Sequence, residues 1–290
     1  MKLVKPQTKA YSLILRYLLF LLMFIGYGVF ELFSQSFEDA HDQALGSLGN
    51  YELLFSNQYF WDSLLTSINI TFSSTIISIV LGVVLARLIY FYLHQSKWKY
   101  LIWIPMLIPH FVAGHLILLF FSQSGLISRA FYNLRWINHM SQFPGVVNDP
   151  WGIGIILTYI WKEVPFVVLM VLPAYYRQNK QYIDVVRTLG GSKWQVFKMV
   201  EWPALYPIVI ETALILWAFV ITAYEIPYLL GVTYPKMLSV LAYQWFYQGD
   251  WSSRPIAMAL FSVLTVFILM ITFGCFRLTQ SGRFRSMRGR

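Results

Sequence analysis

Residues 184–203 read DVVRTLGGSKWQVFKMVEWP, from Asp184 to Pro203, with strongly apolar runs on both sides. The stretch carries charges of both signs, two adjacent glycines and a closing proline. Tyr182, Val185, Val186 and Leu189 recur at i, i+3, i+4 and i+7, which is one stripe of a helix. Asp184, Arg187 and Thr188 fall off that stripe. Gly190 and Gly191 suit a left-handed helix stop. Ser192 with Gln195 three residues on has the capping-box pattern that opens a second helix. That helix carries Trp194, Phe197, Met199 and Val200 and is expected to end at Pro203. So the segment reads as helix, glycine bend, helix, proline. On these residues alone it is either an amphipathic segment lying on headgroups or a docking element in water.

The surroundings fix the fold class. Of the 290 residues, 58% are hydrophobic, 18% aromatic and only 12% charged, more apolar surface than a soluble domain can hide. Several apolar runs reach about 20 residues, the length that crosses a ~30 Å hydrocarbon core. Backbone in lipid must bond to itself, which leaves helices or closed barrels. The runs are too continuous for barrel strands, which alternate over ~10 residues. The expectation is an all-α polytopic membrane protein with six transmembrane helices near 11–33, 65–93, 100–122, 151–174, 205–230 and 255–277. The first run follows Lys2, Lys5 and Lys9 but continues from Tyr11 to Phe33 without a small-residue cleavage site, so a retained signal-anchor is expected. The organisation expected is 1–64 as signal-anchor helix and outer loop, 65–277 as a five-helix core containing the loop 175–204, and 278–290 as a basic tail. Cys275 is the single cysteine, so no intrachain disulfide forms.

Charge sets the direction. With both termini inside, the inner segments and helix ends hold 17 of the 22 Lys and Arg. They are Lys2, Lys5, Lys9 and Arg16; Arg87, Lys97 and Lys99; Arg177, Lys180, Arg187, Lys193 and Lys198; and Arg277, Arg283, Arg285, Arg288 and Arg290. Glu31, Glu38, Asp39, Asp42, Glu52, Asp62, Asp149 and Asp250 fall outside. The positive-inside rule then places both termini in the cytoplasm. The net charge of +9 is read as contact with anionic lipid headgroups and not as nucleic-acid binding.

Chemistry is scarce. No Gly-Lys pair occurs, so there is no phosphate-binding loop, and no H-E-x-x-H or cysteine cluster suggests a metal. His110 and His115 are five apart, about 140° around a helix, and do not share a face. The chain is expected to move something and not to transform it. Charges deep in a span are costly and mark function by default. Lys162 and Glu163 fall near the middle of the fourth span and Glu225 in the fifth, while Glu211 is nearer the inner end. Lys162 and Glu225 could neutralise one another, or Glu163 or Glu225 could line a polar passage. Pro165 and Pro227 follow these acids closely, and carbonyls freed by proline are tolerated only beside protein or water. The candidates for the pathway are Lys162, Glu163, Tyr224, Glu225 and Tyr228.

At Asp184–Pro203 the chain resembles the signature loop of permease subunits of binding-protein-dependent ATP-binding cassette importers, of MetI-like type I fold. The family pattern is Glu-Ala-Ala, three residues, Gly, then after a fixed gap a hydrophobic-x-Leu-Pro ending. Here Asp184, Val185 and Val186 hold the first three places, Gly190 the glycine, Val200 the hydrophobic place, Trp202 the leucine place and Pro203 the proline. The departures are Asp for Glu, Val-Val for Ala-Ala and Trp for Leu. "WIPMLIPHFVAG" looks like the third helix of such permeases, and "AYEIPYLLGVTYPKMLSVLAY" looks like the fifth helix and its exit, closest to the spermidine/putrescine branch.

The resemblance implies a coupling loop of Asp184, Val185, Val186, Leu189, Gly190, Gly191, Ser192 and Pro203 seated on a cytoplasmic ATPase dimer. It implies a similar, non-identical second permease, an extracytoplasmic substrate-binding protein, and a bacterial inner-membrane location. No cofactor is expected in this chain; ATP and Mg²⁺ are bound by the partner ATPase. For a polyamine, Glu163 and Glu225 offer charge complementarity, and Tyr224 and Tyr228 offer faces for cation–π contact. The competing readings are a gradient-driven secondary transporter or channel using its intramembrane charges, and a membrane enzyme of lipid metabolism.

Overall fold

A computed structural model describes residues 6–38 and 48–288. The charges at Lys2, Lys5, Asp39, Asp42 and Arg290 lie outside the described residues, as do the side chains of the basic tail 278–290. The described residues are mostly helical, with no strand among them. In chain order the helices are α1 (Pro6–Ser36), α2 (Gly49–Ser56), α3 (Gln58–Leu88), α4 (Ile104–Leu107), α5 (His110–Phe121), α6 (Leu126–Asn133) and α7 (Ile153–Arg177). They continue with α8 (Lys180–Thr188), α9 (Lys193–Val196), α10 (Trp202–Thr222), α11 (Glu225–Leu230), α12 (Leu238–Tyr247) and α13 (Arg254–Arg288). Among the described residues six stretches are long and apolar enough to cross a membrane: Ile14–Ser36, Gln58–Leu93, His110–Asn133, Ile153–Arg177, Lys193–Thr222 and Trp251–Arg277.

The chain divides into two compact units, Met1–Gln58 with Ala242–Phe267, and Tyr59–Leu241 with Ile268–Arg290. In the first, α1 is predominantly apolar and exposed from Ile14 to Phe30, the pattern of a helix solvated by lipid or a neighbour. Tyr51 is a polar hub here. Its hydroxyl lies 2.8 Å from both Ser36 Oγ and Ser262 Oγ. Asn50 Nδ2 donates to the Ser36 and Glu38 carbonyls at 3.1 and 2.7 Å.

In the second unit α7 is the central helix, packed on α4, α5, α10 and α11. One apolar cluster joins Val83, Ala86 and Ile89 to Val167, Val168, Val171 and Tyr175 of α7 and to Leu205, Val209 and Leu216 of α10. Gly82 lets α3 lie against α7, since a Cβ there would overlap the Val167 side chain. Small residues permit such close approach where lipid offers no hydrophobic drive. The start of α7 is capped by Asp149. Its Oδ2 accepts from Trp151 N at 3.0 Å and Ile153 N at 2.9 Å, and Oδ1 from Gly154 N at 3.4 Å. Ile153 and Gly154 N–H are amides that a helix start leaves unpaired.

Two spans expected as continuous are broken. The third, expected over 100–122, is a 3₁₀ stretch Lys97–Trp103 and α4, then an extended residue at Ile108, then α5. Pro109 has no N–H and drives the residue before it out of helical conformation. The fifth, expected over 205–230, begins earlier, at Lys193, and stops at Thr222; Ala223 is extended and α11 starts afresh at Glu225. Pro227 cannot donate to the Ala223 carbonyl four residues back, and Ser239 Oγ donates to that carbonyl instead at 2.7 Å.

Candidate functional site: coupling loop and intramembrane pocket

The loop after α7 forms as its local chemistry dictates. Asn179 Oδ1 accepts from Gln181 N at 3.0 Å and opens α8. Leu189 ends the helix, and Gly190 has φ +79° with its N–H on the Arg187 carbonyl at 2.9 Å. Nothing lies within 4 Å of a Cβ built at Gly190, so the left-handed φ, not crowding, is what requires glycine. At Gly191 a Cβ would sit 2.7 Å from the Val186 carbonyl oxygen. Ser192 Oγ accepts from Gln195 N at 3.3 Å and Gln195 Oε1 from Ser192 N at 2.6 Å, the reciprocal capping box read from sequence.

One expectation needs correction. Pro203 does not end the second helix. α9 passes through a π-helical turn, Phe197–Glu201, directly into α10. The wider i→i+5 turn re-registers the backbone just where proline lacks its donor. Of the stripe Tyr182, Val185, Val186 and Leu189, Val186 is half-buried and the other three do not pack on the chain. All three are exposed, as are Trp194 and Met199, while Ile183 and Val196 are the buried residues. The loop therefore rests on a small apolar foot and turns an uncovered apolar face outward. Asp184 is exposed on α8.

At the exit of the loop lies a polar cluster that the sequence reading did not assemble. Glu201 is fully buried. Arg87 Nε and Nη2 donate to its two carboxylate oxygens at 2.7 and 3.0 Å. The Tyr175 hydroxyl donates to Glu201 Oε2 at 3.2 Å. Tyr90 stacks on Tyr175 with ring centroids 5.4 Å apart. A carboxylate following Met199 and Val200 in an otherwise apolar run was the available signal, but its partner Arg87 is 114 residues away.

Of the two alternatives for the intramembrane charges, the Lys162–Glu225 pair does not form. Lys162 does not meet Glu225. It is 4% exposed, and its Nζ donates to the carbonyls of Pro105 and Ile108 at 2.7 and 2.5 Å. The ammonium satisfies the acceptors released by the break before α5. Glu163 Oε1 lies 3.3 Å from His110 Nε2 at the start of α5. Glu225 and Tyr224 line a cavity of about 380 Å³ with His110, Tyr159, Phe219, Ala223 and Ile226. Tyr159 is fully buried and its hydroxyl has no hydrogen-bond partner among the described residues. Tyr228 stacks on Tyr224 at 5.0 Å between centroids, one turn along. Of the pathway candidates, then, Tyr224 and Glu225 reach the cavity, Glu163 approaches it through His110, and Lys162 is occupied by backbone. His110, Tyr159 and Phe219 are lining residues that sequence reasoning missed; only the two helix breaks bring them together.

A family model described as binding-protein-dependent transport system inner membrane component matches residues 78–281. The molybdate/tungstate transport system permease protein WtpB of Thermococcus kodakarensis is 28% identical over 212 residues, 72% of this chain and 75% of the relative. The trehalose/maltose transport system permease protein MalF of Thermococcus litoralis is 24% identical over 245 residues, 82% of this chain and 80% of the relative. Among solved structures, a chain of a bacterial alginate ABC transporter, in complex with an alginate pentasaccharide-bound periplasmic protein, has a TM-score of 0.77 at 20% identity, covering 93% of each chain. A chain of the inward-facing MetNI methionine ABC transporter has a TM-score of 0.56 at 16% identity, covering 76% of this chain and 94% of the other. The family match takes in Arg87, the cavity and the whole loop. The chain belongs to the binding-protein-dependent transport system inner membrane components, the multi-pass permease subunits of ATP-binding cassette importers.

Proposed function

We propose that this permease takes its drive from a separate ATPase docked on Asp184–Pro203 and passes a small cationic solute of the polyamine type through the cavity beside Glu225. The observation that carries the first part is the uncovered apolar face of Tyr182, Val185, Leu189, Trp194 and Met199. It sits on a loop whose geometry is held by a left-handed glycine and a capping box. A rigid, apolar, water-side loop has little use in a carrier that runs on an ion gradient. In this reading ATP and Mg²⁺ are held by the ATPase, both termini lie in the cytoplasm of a bacterial cell, and a similar second permease completes the passage. An external binding protein delivers the solute.

Support for a cationic cargo comes from the cavity. Among the described residues no Lys, Arg or His stands within ion-pair distance of Glu225. A carboxylate at a cavity wall attracts a cation and repels an anion. Tyr224 and Phe219 add aromatic faces.

The test is co-purification of the ATPase encoded with this chain, comparing the unaltered permease with an Asp184→Lys, Gly190→Val form. Capture lost by the variant, with membrane insertion intact, is the expected result; equal capture by both refutes the docking role. For the cargo, spermidine uptake into vesicles is measured with the unaltered chain and with Glu225→Gln. Unchanged uptake by Glu225→Gln removes the cationic reading.

A further inference from the structure

Resting on the docking role just proposed, we propose that Arg87, Glu201 and Tyr175 form the joint through which the loop moves the rest of the permease. They are positioning residues for transport and touch no solute.

The geometry has three parts. Glu201 closes the π turn Phe197–Glu201, the point where the loop helix becomes the fifth span. Its carboxylate is held by α3 through Arg87 and by α7 through Tyr175. Its main-chain carbonyl accepts from Gln178 Nε2 at 3.5 Å, and Arg87 Nη2 also reaches the Lys193 carbonyl at 3.5 Å. One guanidinium thus spans the stretch from the start of α9 to the last residue of the π turn.

Stability alone gives a poor reason for this arrangement. Glu201 is fully buried and the Arg87 side chain is 33% exposed; such a pair contributes little over an apolar trio of the same volume, because desolvating the carboxylate offsets much of the attraction. What a bidentate arginine–carboxylate pair does supply is fixed orientation. The other attachments of the loop, Ile183 and Val196, are apolar contacts, and those are non-directional. The clasp sits at the weakest point of the helix. A π turn followed by Pro203 is where the backbone bends most readily. Without the clasp, a push on the loop would be absorbed by bending at 197–201. With it, the same push is carried into the second, fourth and fifth spans together.

The test uses the whole complex: this chain, its ATPase and the second permease in nanodiscs. A bimane fluorophore is placed on a cysteine at Ala223, in a Cys275→Ser background, to report the cavity. Emission is compared without nucleotide and after trapping with ATP and vanadate. The variants are Glu201→Gln, which keeps volume and removes charge, and Tyr175→Phe, which removes one hydrogen bond. For Glu201→Gln the ATPase is retained, ATP hydrolysis continues, and the emission change per trapped complex falls roughly tenfold, within the ~5–150-fold span of coupling between sites. Tyr175→Phe gives a smaller loss in the same direction.

A full emission change in both variants overturns the joint. So does loss of emission change and hydrolysis in equal proportion, which marks a role in assembly only; if Glu201→Gln fails to insert, Tyr175→Phe decides. If the unaltered chain holds no ATPase, the docking role fails instead, and the two failures are told apart by that arm.

Discussion

Replacing Lys162 by Met separates two accounts of an intramembrane charge. The ammonium donates to two carbonyls at the break between α4 and α5, at 2.7 and 2.5 Å, and is 4% exposed. A hydrogen bond to a charged group contributes about 1.5–3 kcal/mol, and a buried carbonyl left without a partner costs about 1–3 kcal/mol. Methionine keeps most of the stem, so the cavity contribution is small. Allowing for partial relaxation of the break, the loss is about 3 kcal/mol by the same hydrogen-bond scale. At about 2–4 °C per kcal/mol for a domain of this size, the unfolding midpoint falls roughly 6–12 °C. Tryptophan fluorescence during heating in detergent reads this directly. Glu225→Gln, which breaks no ion pair, leaves the midpoint within about 1 °C on the same scale. The capping account is refuted if Lys162→Met melts with the unaltered chain, or if Lys162→Met and Glu225→Gln lose the same amount.

Other outcomes follow from single features. Gly190→Asn retains ATPase capture whereas Gly190→Val loses it, because Asn tolerates the left-handed region and a β-branched residue does not; matched pull-downs check this, and equal capture by both would show that φ +79° is not the constraint. Asp149→Ala removes the acceptor for three amides at the start of α7. It costs about 1–2 kcal/mol as a lost cap, and faster amide exchange confined to residues 151–154 is the expected signature.

Much of the loop was legible because its causes are local. The stop at Gly190 and the Ser192–Gln195 box involve groups three or four residues apart, and the chain carries those relations within itself. Pro165 and Pro227 announced irregular backbone, yet Pro165 sits inside the continuous helix α7 and only Pro227 lies beside a break. The exposed stripe on α8 was legible as a stripe; which side of the helix the chain would cover was not, because periodicity marks an apolar face without naming its partner.

Composition, run length and charge asymmetry were enough to establish a polytopic helical membrane protein, since a bilayer leaves so few ways to satisfy a backbone. Which charges meet could not be read in the same way. Lys162 answers carbonyls 57 and 54 residues upstream, Arg87 answers a carboxylate 114 residues downstream, and Glu225 stays at a cavity wall. A buried charge takes whichever acceptor the packing leaves unpaired, and that is decided by where helices break and cross, a property of the assembled helices and not of any one of them.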